Sequence, residues 1–166
     1  MELEDRVVVV TGAGSGIGEA IARAAHAAGA RHVVIADLHG DEAERVAADI
    51  GGTALEIDVR DESAIQQMVG STLDAHGPID LFVSNAGFVT AAGLEDTNEA
   101  IQTMWEVHCM AHIYGARAVL PSMIAPPRRQ PSRQRHRPVR VSIGAISIGV
   151  RPRSRSSNRS GARPGA

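Results

Sequence analysis

The chain has 166 residues, enough for one domain with its own core, and a formal net charge of −2. The charge is divided: all 19 acidic residues and 6 of the 17 basic ones precede residue 128, and the other 11 basic residues follow with no acid. A lone Cys109 excludes an internal disulfide, and we expect no metal site. With no apolar run of about 20 residues and an acidic start instead of a signal peptide, we expect a cytoplasmic protein outside the membrane.

Short aliphatic runs alternate with longer helical patterns up to residue 124. Strands are predicted at 6–12, 32–37, 53–59 and 78–87, and helices at 16–30, 40–51, 61–77 and 97–124. This alternation is typical of an α/β fold with a Rossmann-like, doubly wound parallel sheet. Right-handed crossovers place the carboxyl ends of such strands at one edge, where ligands bind.

The alternation stops after residue 124. Residues 125–138 and 151–166 are rich in arginine, proline and serine without periodicity, so we predict that they are disordered or poorly packed. The sequence VRVSIGAISIGV (139–150) is compatible with a fifth strand and a turn. We therefore predict a domain at 1–124, a largely disordered tail at 125–166, and a sheet that is incomplete on its C-terminal side.

A glycine motif, TGAGSGIG at 11–18, joins the first strand to the first helix. Gly12 permits a tight exit from the strand, Gly16 lets the backbone approach a phosphate, and Gly18 allows close packing of helix and strand. The helix N-terminus offers N–H groups and partial positive charge to a pyrophosphate. A glycine-rich turn without a ligand is the alternative. The predicted binding residues are Thr11, Gly12, Ser15, Gly16, Ile17 and Gly18.

Asp37 ends the second predicted strand, followed by Leu38, which we assign to the same site. A carboxylate at this position can accept both hydroxyls of an adenosine ribose and would repel a 2′-phosphate. We expect no arginine or lysine near the glycine motif, so NAD is favoured over NADP. The alternative is that Asp37 caps the segment that follows.

Four elements, in this order, resemble the short-chain dehydrogenase/reductase family over about residues 6–124: the glycine motif, the acidic end of strand two, DV at 58–59 and NAG at 85–87. The resemblance implies that Asp58 accepts from the adenine amino group and that Val59 lines the ring. It implies that Asn85, Ala86 and Gly87 border the nucleotide and stabilise the sheet. The implied partners are NAD and a small alcohol or carbonyl substrate, with a homo-oligomer or a paralogue also compatible.

The catalytic positions depart from the family pattern. His112 stands where the family has an Asn that holds a proton-relay water; it can also donate and accept, or it can simply face solvent or the core. Ser142 or Ser147 is the candidate for the catalytic serine. The family's Tyr-x-x-x-Lys, in which a cation lowers the phenol pKa from near 10, has no match, because the chain has no lysine. Tyr114, the one tyrosine, is interpreted as a packing residue.

The sequence therefore predicts cofactor binding with little or no hydride transfer. The composition after residue 124 is typical of a GC-rich gene read out of frame, so truncation or frameshift is favoured over an evolved basic tail. A non-catalytic NAD-binding or regulatory partner is one alternative. A polyanion binder using the 11 arginines is another, but nucleic acid is disfavoured because the tail lacks aromatic platforms and a reading motif.

Overall fold

The chain folds around one mostly parallel sheet. The computed structural model describes residues 2–90, 93–125, 139–143 and 146–150. Within these residues the strands are β1 (Val7–Thr11), β2 (His32–Asp37), β3 (Thr53–Glu56), β4 (Leu81–Ser84), β5 (Val139–Ile143) and β6 (Ile146–Val150). Their order is β3-β2-β1-β4-β5-β6, with every pair parallel except β5 and β6. The strand order reverses between β1 and β4, and the predicted Rossmann-like fold is confirmed.

The predicted helices are also present, with shorter bounds. They are α1 (Gly16–Ala27), α2 (Gly40–Ile50), α3 (Glu62–His76), α4 (Asn98–Trp105) and α5 (Ala111–Ile124). The long helix predicted at 97–124 is one continuous helical segment, in which a π-helical stretch, Glu106–Met110, separates α4 from α5. A short 3-10 turn, Gly93–Glu95, precedes it.

The core has two layers, one on each face of the sheet. Alternate valines of β1 point to opposite faces, and all four are fully buried. Val7 and Val9 pack with residues of α3 and α5, whereas Val8 and Val10 pack with residues of α1 and α2. Burial on both faces explains why β1 reads as a continuous run of valines.

The sheet continues beyond residue 124. β5 lies parallel to β4, with Leu81 opposite Arg140 and Ser84 opposite Ile143. β6 returns antiparallel to β5, so the segment predicted as a strand with a turn corresponds to two strands. The predicted disorder at 126–138 and 151–166 falls outside the described residues.

Two kinds of feature are absent from the described residues. None of the helices there is both long enough and apolar enough to cross a bilayer. No group of three or more His, Cys, Asp or Glu side chains in that part of the chain is arranged to hold a metal ion.

Candidate functional site

The glycine loop between β1 and α1 is held closely against the end of β4. Gly12 adopts φ +64°, and a Cβ there would lie 2.7 Å from the Cα of Ala86. A Cβ on Gly18 would collide with the carbonyl oxygen of Gly12. Backbone packing therefore requires glycine at both positions. Gly12 lets the loop approach the end of β4, and Gly18 lets α1 approach the loop.

Gly16 differs from its neighbours in the loop. It adopts φ +55°, and an added Cβ would meet nothing within 4 Å. Ser15, Gly16 and Ile17 are all exposed at the start of α1, and the Ser15 side chain does not cap the helix. By contrast, the side chain of Asp61 caps α3 by accepting from the N–H of Ser63. The N-terminus of α1 thus has open space in front of it and the partial positive charge that attracts an anion.

Asn85 fastens the end of β4 to the glycine loop. Its side-chain amide donates to the carbonyl oxygens of Thr11 at 3.1 Å and of Gly12 at 3.2 Å. The buried hydroxyl of Thr11 in turn accepts from the backbone N–H groups of Asn85 and Ala86. The Thr11 hydroxyl therefore links the end of β1 to the residues that follow β4.

Asp37 lies at the end of β2, beside the same loop. Its carboxylate accepts from the N–H of Gly14 at 2.8 Å and from the N–H of His39 at 3.1 Å. His39 is the N-cap residue of α2, so Asp37 also supports the entry to that helix. Leu38 is 56% exposed next to it. The carboxylate is thereby held at the open edge of the sheet in a fixed orientation.

A cation also reaches the loop, which corrects the expectation that none stands near the glycine motif. The guanidinium of Arg45, on α2, donates to the carbonyl oxygen of Gly14 and to the Glu19 carboxylate, both at 2.8 Å. Arg23 donates to Glu19 as well, at 2.8 Å. These hydrogen bonds, of which that from Arg45 has the larger effect and that from Arg23 the smaller, lower the pKa of Glu19 to about 2. α2 brings Arg45 to a loop that is distant from it in sequence.

The segment after β3 is joined to the end of β2. The N–H of Ile57 donates to the carbonyl oxygen of Asp37 at 2.8 Å, which brings Asp58 to the same edge. The Arg60 guanidinium donates to the Asp58 carboxylate at 2.6 Å and lowers the pKa of that carboxyl group. Val59 is 9% exposed and packs in the core, so little of its side chain faces outward.

These features give a strand, a glycine turn and a helix N-terminus beside an acidic strand end. A model of the family described as short chain dehydrogenase matches residues 6–133. The chain belongs to this family. The family uses a nicotinamide dinucleotide, NAD or NADP. The matched range extends somewhat beyond the expected limit at about residue 124.

Relatives in the family have the same fold and are longer. The chain is 36% identical over 128 residues to a sorbitol dehydrogenase of Cereibacter sphaeroides, covering 75% of this chain and 50% of the relative. It is 34% identical over 158 residues to a 1-deoxy-11-beta-hydroxypentalenate dehydrogenase of Streptomyces exfoliatus, covering 90% and 55%. A short-chain dehydrogenase structure from Streptomyces avermitilis matches with a TM-score of 0.67 and 32% identity, covering 74% of this chain and 46% of that one. The chain therefore spans about half the length of these relatives.

His112, which the sequence predicts at the family's Asn position, is the second residue of α5 and follows the π-helical segment by one residue. Its Nδ1 is 2.6 Å from the hydroxyl of Ser84, a buried residue at the end of β4. Burial lowers the pKa of His112, and the neighbouring His108 lowers it further. His112 is half-buried and bonded to the strand end, so neither a solvent-facing nor a fully core position describes it.

His108 had no expected role, and the structure gives it one. Its Nε2 is 2.6 Å from the carbonyl oxygen of Phe88, and its ring lies beside the Phe88 ring at 5.8 Å between centroids. A Cβ on Gly87 would lie 2.8 Å from Cε1 of His108. Gly87 therefore gives His108 room to hold the loop that follows β4.

The candidate serines lie on the outer strands. Ser142 is opposite Val83 in the register of β4 and β5, one position before the pairing of Ser84. Ser147 pairs with Ser142 across β5 and β6, one strand further out. Of the two, the backbone brings Ser142 nearer to the strand end that carries Ser84. Tyr114 packs, partly buried, against the core, as expected for a packing residue.

Sequence reasoning missed four residues of the site: Gly14, Glu19, Arg45 and Ser84. Gly14 stands inside the glycine motif, and Ser84 directly precedes Asn85, so position in the motifs could have identified both. No local signal links Glu19 with Arg45, because 26 positions separate them.

An apolar concavity of about 420 Å³ lies along α5 beside His112. Its lining is His112, Ile113, Ala116, Arg117, Leu120, Pro121 and Ile124. Ile124 is 61% exposed and Ile113 43% exposed. His112 thus lies between the strand end of β4 and this apolar surface.

Proposed function

We propose that this chain binds NAD in preference to NADP at the carboxyl edge of β1, β2 and β3, and that it transfers hydride weakly or not at all. The observation that carries the proposal is the open space over Gly16 at the uncapped N-terminus of α1, next to the Asp37 carboxylate. A pyrophosphate suits the first feature and a ribose with free hydroxyls suits the second.

The residues present fit a dinucleotide. An anion can approach the α1 N-terminus because the position that a Cβ of Gly16 would occupy has no protein atom within 4 Å. The adenosine ribose would hydrogen-bond to Asp37, and the adenine would lie near Asp58 and Val59. Asn85 would support the loop from behind, through its bonds to Thr11 and Gly12. When bound, the nicotinamide supplies a hydride acceptor or donor.

The proton half of the reaction is poorly provided for in this sequence. Alcohol oxidation needs a base that takes the hydroxyl proton, and positioned acid–base catalysis is worth typically 10²–10⁴-fold. The chain contains no lysine, and its one tyrosine, Tyr114, packs against the core. His112 with Ser84 remains as a candidate proton-transfer pair, and Ser142 and Ser147 remain sequence candidates on the neighbouring strands. Binding that does not strengthen in the transition state gives no rate.

Binding is tested by titrating the purified chain with NAD and with NADP in a calorimeter. NAD should bind more tightly, and Asp37→Ala should narrow the difference because the carboxylate that meets the ribose is gone. Asp74→Ala, which removes an exposed carboxylate on α3, is the matched control and should keep the preference. Equal affinities for the two dinucleotides in the unmodified chain would exclude the role of Asp37.

Turnover is tested by NADH absorbance on a panel of secondary alcohols and ketones, a substrate class suggested by the dehydrogenase names of the relatives. We expect none above a control in which Gly16 is replaced by Trp. Sustained turnover that is absent in Gly16→Trp would contradict the proposed inactivity. It would make His112 the candidate proton donor.

A second candidate is a non-catalytic NAD-binding partner of an intact paralogue, favoured by the combination of a complete nucleotide cradle with no Tyr-x-x-x-Lys. Mixing the chain with such a paralogue should then change that enzyme's NAD dependence.

The proposed frameshift has a separate test in the coding DNA. A Tyr-x-x-x-Lys in another frame after codon 124 would establish it.

A further inference from the structure

The glycine loop lies between two opposite charges, the Asp37 carboxylate at the end of β2 and the Arg45 guanidinium on α2. The backbone N–H of Gly14 donates to Asp37, and the carbonyl oxygen of the same residue accepts from Arg45, both at 2.8 Å. The carboxylate and the guanidinium are therefore each one hydrogen bond from Gly14. Arg45 is thus a cation that contacts the same loop as the carboxylate proposed to bind the ribose.

That cation is engaged by Glu19. Arg45 donates to Glu19 through both terminal nitrogens, at 3.2 and 2.8 Å. The Glu19 side chain is 21% exposed, against 51% for Arg45. The two arginines, Arg45 first and then Arg23, stabilise the ionised carboxylate and lower the pKa of Glu19 to about 2. The charge of Arg45 is thus neutralised by a partner that is itself held in place.

The loop around Gly14 leaves little freedom for the arrangement to change. Gly14 is buried, and a Cβ there would lie 2.8 Å from Cβ of Glu42 and 3.0 Å from Cγ of Asp37. Because the loop is packed this closely against β2 and α2, a shift of Arg45 would be transmitted to the peptide that orients Asp37.

We propose that the Glu19–Arg45 ion pair is a specificity determinant of the nucleotide site: it fixes Gly14 through its carbonyl oxygen, so that the N–H of Gly14 holds Asp37 where a ribose can reach it, and it withholds the Arg45 charge from a 2′-phosphate. This inference rests on the proposed binding of NAD. Arg45 and Glu19 are positioning residues in it, because they act through Gly14 and Asp37.

Substitutions of Glu19 and of Arg45 test different parts of the proposal. The first tests whether the charge of Arg45 is withheld, and the second tests whether Arg45 supports Gly14. Glu19→Gln leaves Arg45 in place and removes its counter-charge, so affinity for NADP should rise relative to NAD by about fivefold, the effect of one partly exposed ion pair. Arg45→Met removes the support of the Gly14 carbonyl and the cation together. It should weaken NAD more than NADP, because the support for Asp37 is lost while no free cation is left to attract a 2′-phosphate.

The experiment measures NAD and NADP dissociation constants for the unmodified chain, Glu19→Gln, Arg45→Met and the double variant. The shift in ratio caused by Glu19→Gln should disappear in the double variant, because it depends on Arg45. Arg23→Met is the matched control: Arg23 also contacts Glu19, at 2.8 Å, but its other side-chain partner is Asp49 and not the loop. It should leave the ratio unchanged.

Loss of stability alone would weaken both dinucleotides together and would not move their ratio. If the unmodified chain prefers NAD and Glu19→Gln leaves the ratio unchanged, this inference fails and the proposed function stands. An equal shift with and without Arg45 would also overturn it. If the unmodified chain binds neither dinucleotide, both proposals fail.

Discussion

Two regions along the carboxyl edge of the same sheet differ in how completely they are built. The proposed nucleotide region, above β1, β2 and β3, has hydrogen bonds that join Gly12 of the loop to the Asn85 amide and Gly14 to the Asp37 carboxylate. The proposed catalytic region, above β4 and β5, has the His112–Ser84 pair at the start of α5, after the π-helical stretch. The proposed roles in binding and in proton transfer fall on different strands, so one region can keep the family pattern while the other departs from it.

The largest expected effect lies in the nucleotide region. Gly18→Ala would drive a Cβ into the carbonyl oxygen of Gly12, a backbone atom that cannot move aside. We expect a loss of about 3 kcal/mol in the free energy of unfolding, at the upper end of overpacking costs, together with loss of NAD binding.

Gly70→Ala provides the control, since a Cβ there meets nothing within 4 Å and the residue lies inside α3. It should stabilise the chain by roughly 0.5–1 kcal/mol. Urea denaturation of both variants measures the difference. Similar stabilities for the two alanine variants would mean that the loop does not pack as described.

A smaller effect is expected in the catalytic region. Ser84→Ala removes the partner of His112 at a buried strand end and should cost about 1 kcal/mol. NAD affinity should stay within about twofold, because separate sites add nearly independently. Ser122→Ala, whose hydroxyl donates to the Val119 carbonyl oxygen of its own helix, serves as control and should change stability by less than about 0.5 kcal/mol. A tenfold loss of NAD affinity in Ser84→Ala would show that the two regions are coupled.

The smallest expected effect is a pH dependence of the free energy of unfolding, which falls in two separate pH ranges, called windows below. The folded-state pKa of His112 is lowered by burial and by His108, and that of His32 by burial, His76 and Arg31. The unfolded chain therefore binds more protons below about pH 6.5, and stability falls as the pH falls from there. Glu19 is lowered from 4.5 to about 2, so its contribution is present above pH 4.5 and is lost between 4.5 and 2.

Unfolding measured in urea from pH 8 to pH 3 separates these windows. The double variant His32→Gln, His112→Asn should flatten the upper one, and Glu19→Gln should flatten part of the lower one. An upper window that persists in the double histidine variant would contradict the assignment to these rings.

Most of the fold could be predicted because its signals are local. The valine run of β1, the aliphatic strand β2 and the glycine after α2 define their elements without reference to the rest of the chain. The position of β5 beside β4 could not be predicted, since pairing between strands depends on contacts across the whole sheet. The π-helical segment was also missed, because one additional residue in a helical turn leaves no mark in an apolar pattern.

The site divides in the same way. Gly12, Gly16, Gly18 and Asp37 follow from motif spacing and the chemistry of phosphate and ribose. Arg45 was missed because its contact with Gly14 crosses from α2 to a loop 31 positions earlier. Long-range contacts between charged side chains require the packed helices to be known first.

The π-helical stretch Glu106–Met110 bears on which single-residue deletions the helical segment of α4 and α5 can accommodate. A π turn is one residue longer than an α turn, so it behaves as an insertion that the helix has accommodated locally. Deleting one residue there would restore a regular helix and keep the orientation of α5, because the wide turn already absorbs the extra residue, so His112 would stay beside Ser84. Deleting one residue of α4 would instead rotate α5 by about 100° and carry His112 away from Ser84. The π-helical stretch is thus a position where this helical segment can shorten without moving the His112–Ser84 pair.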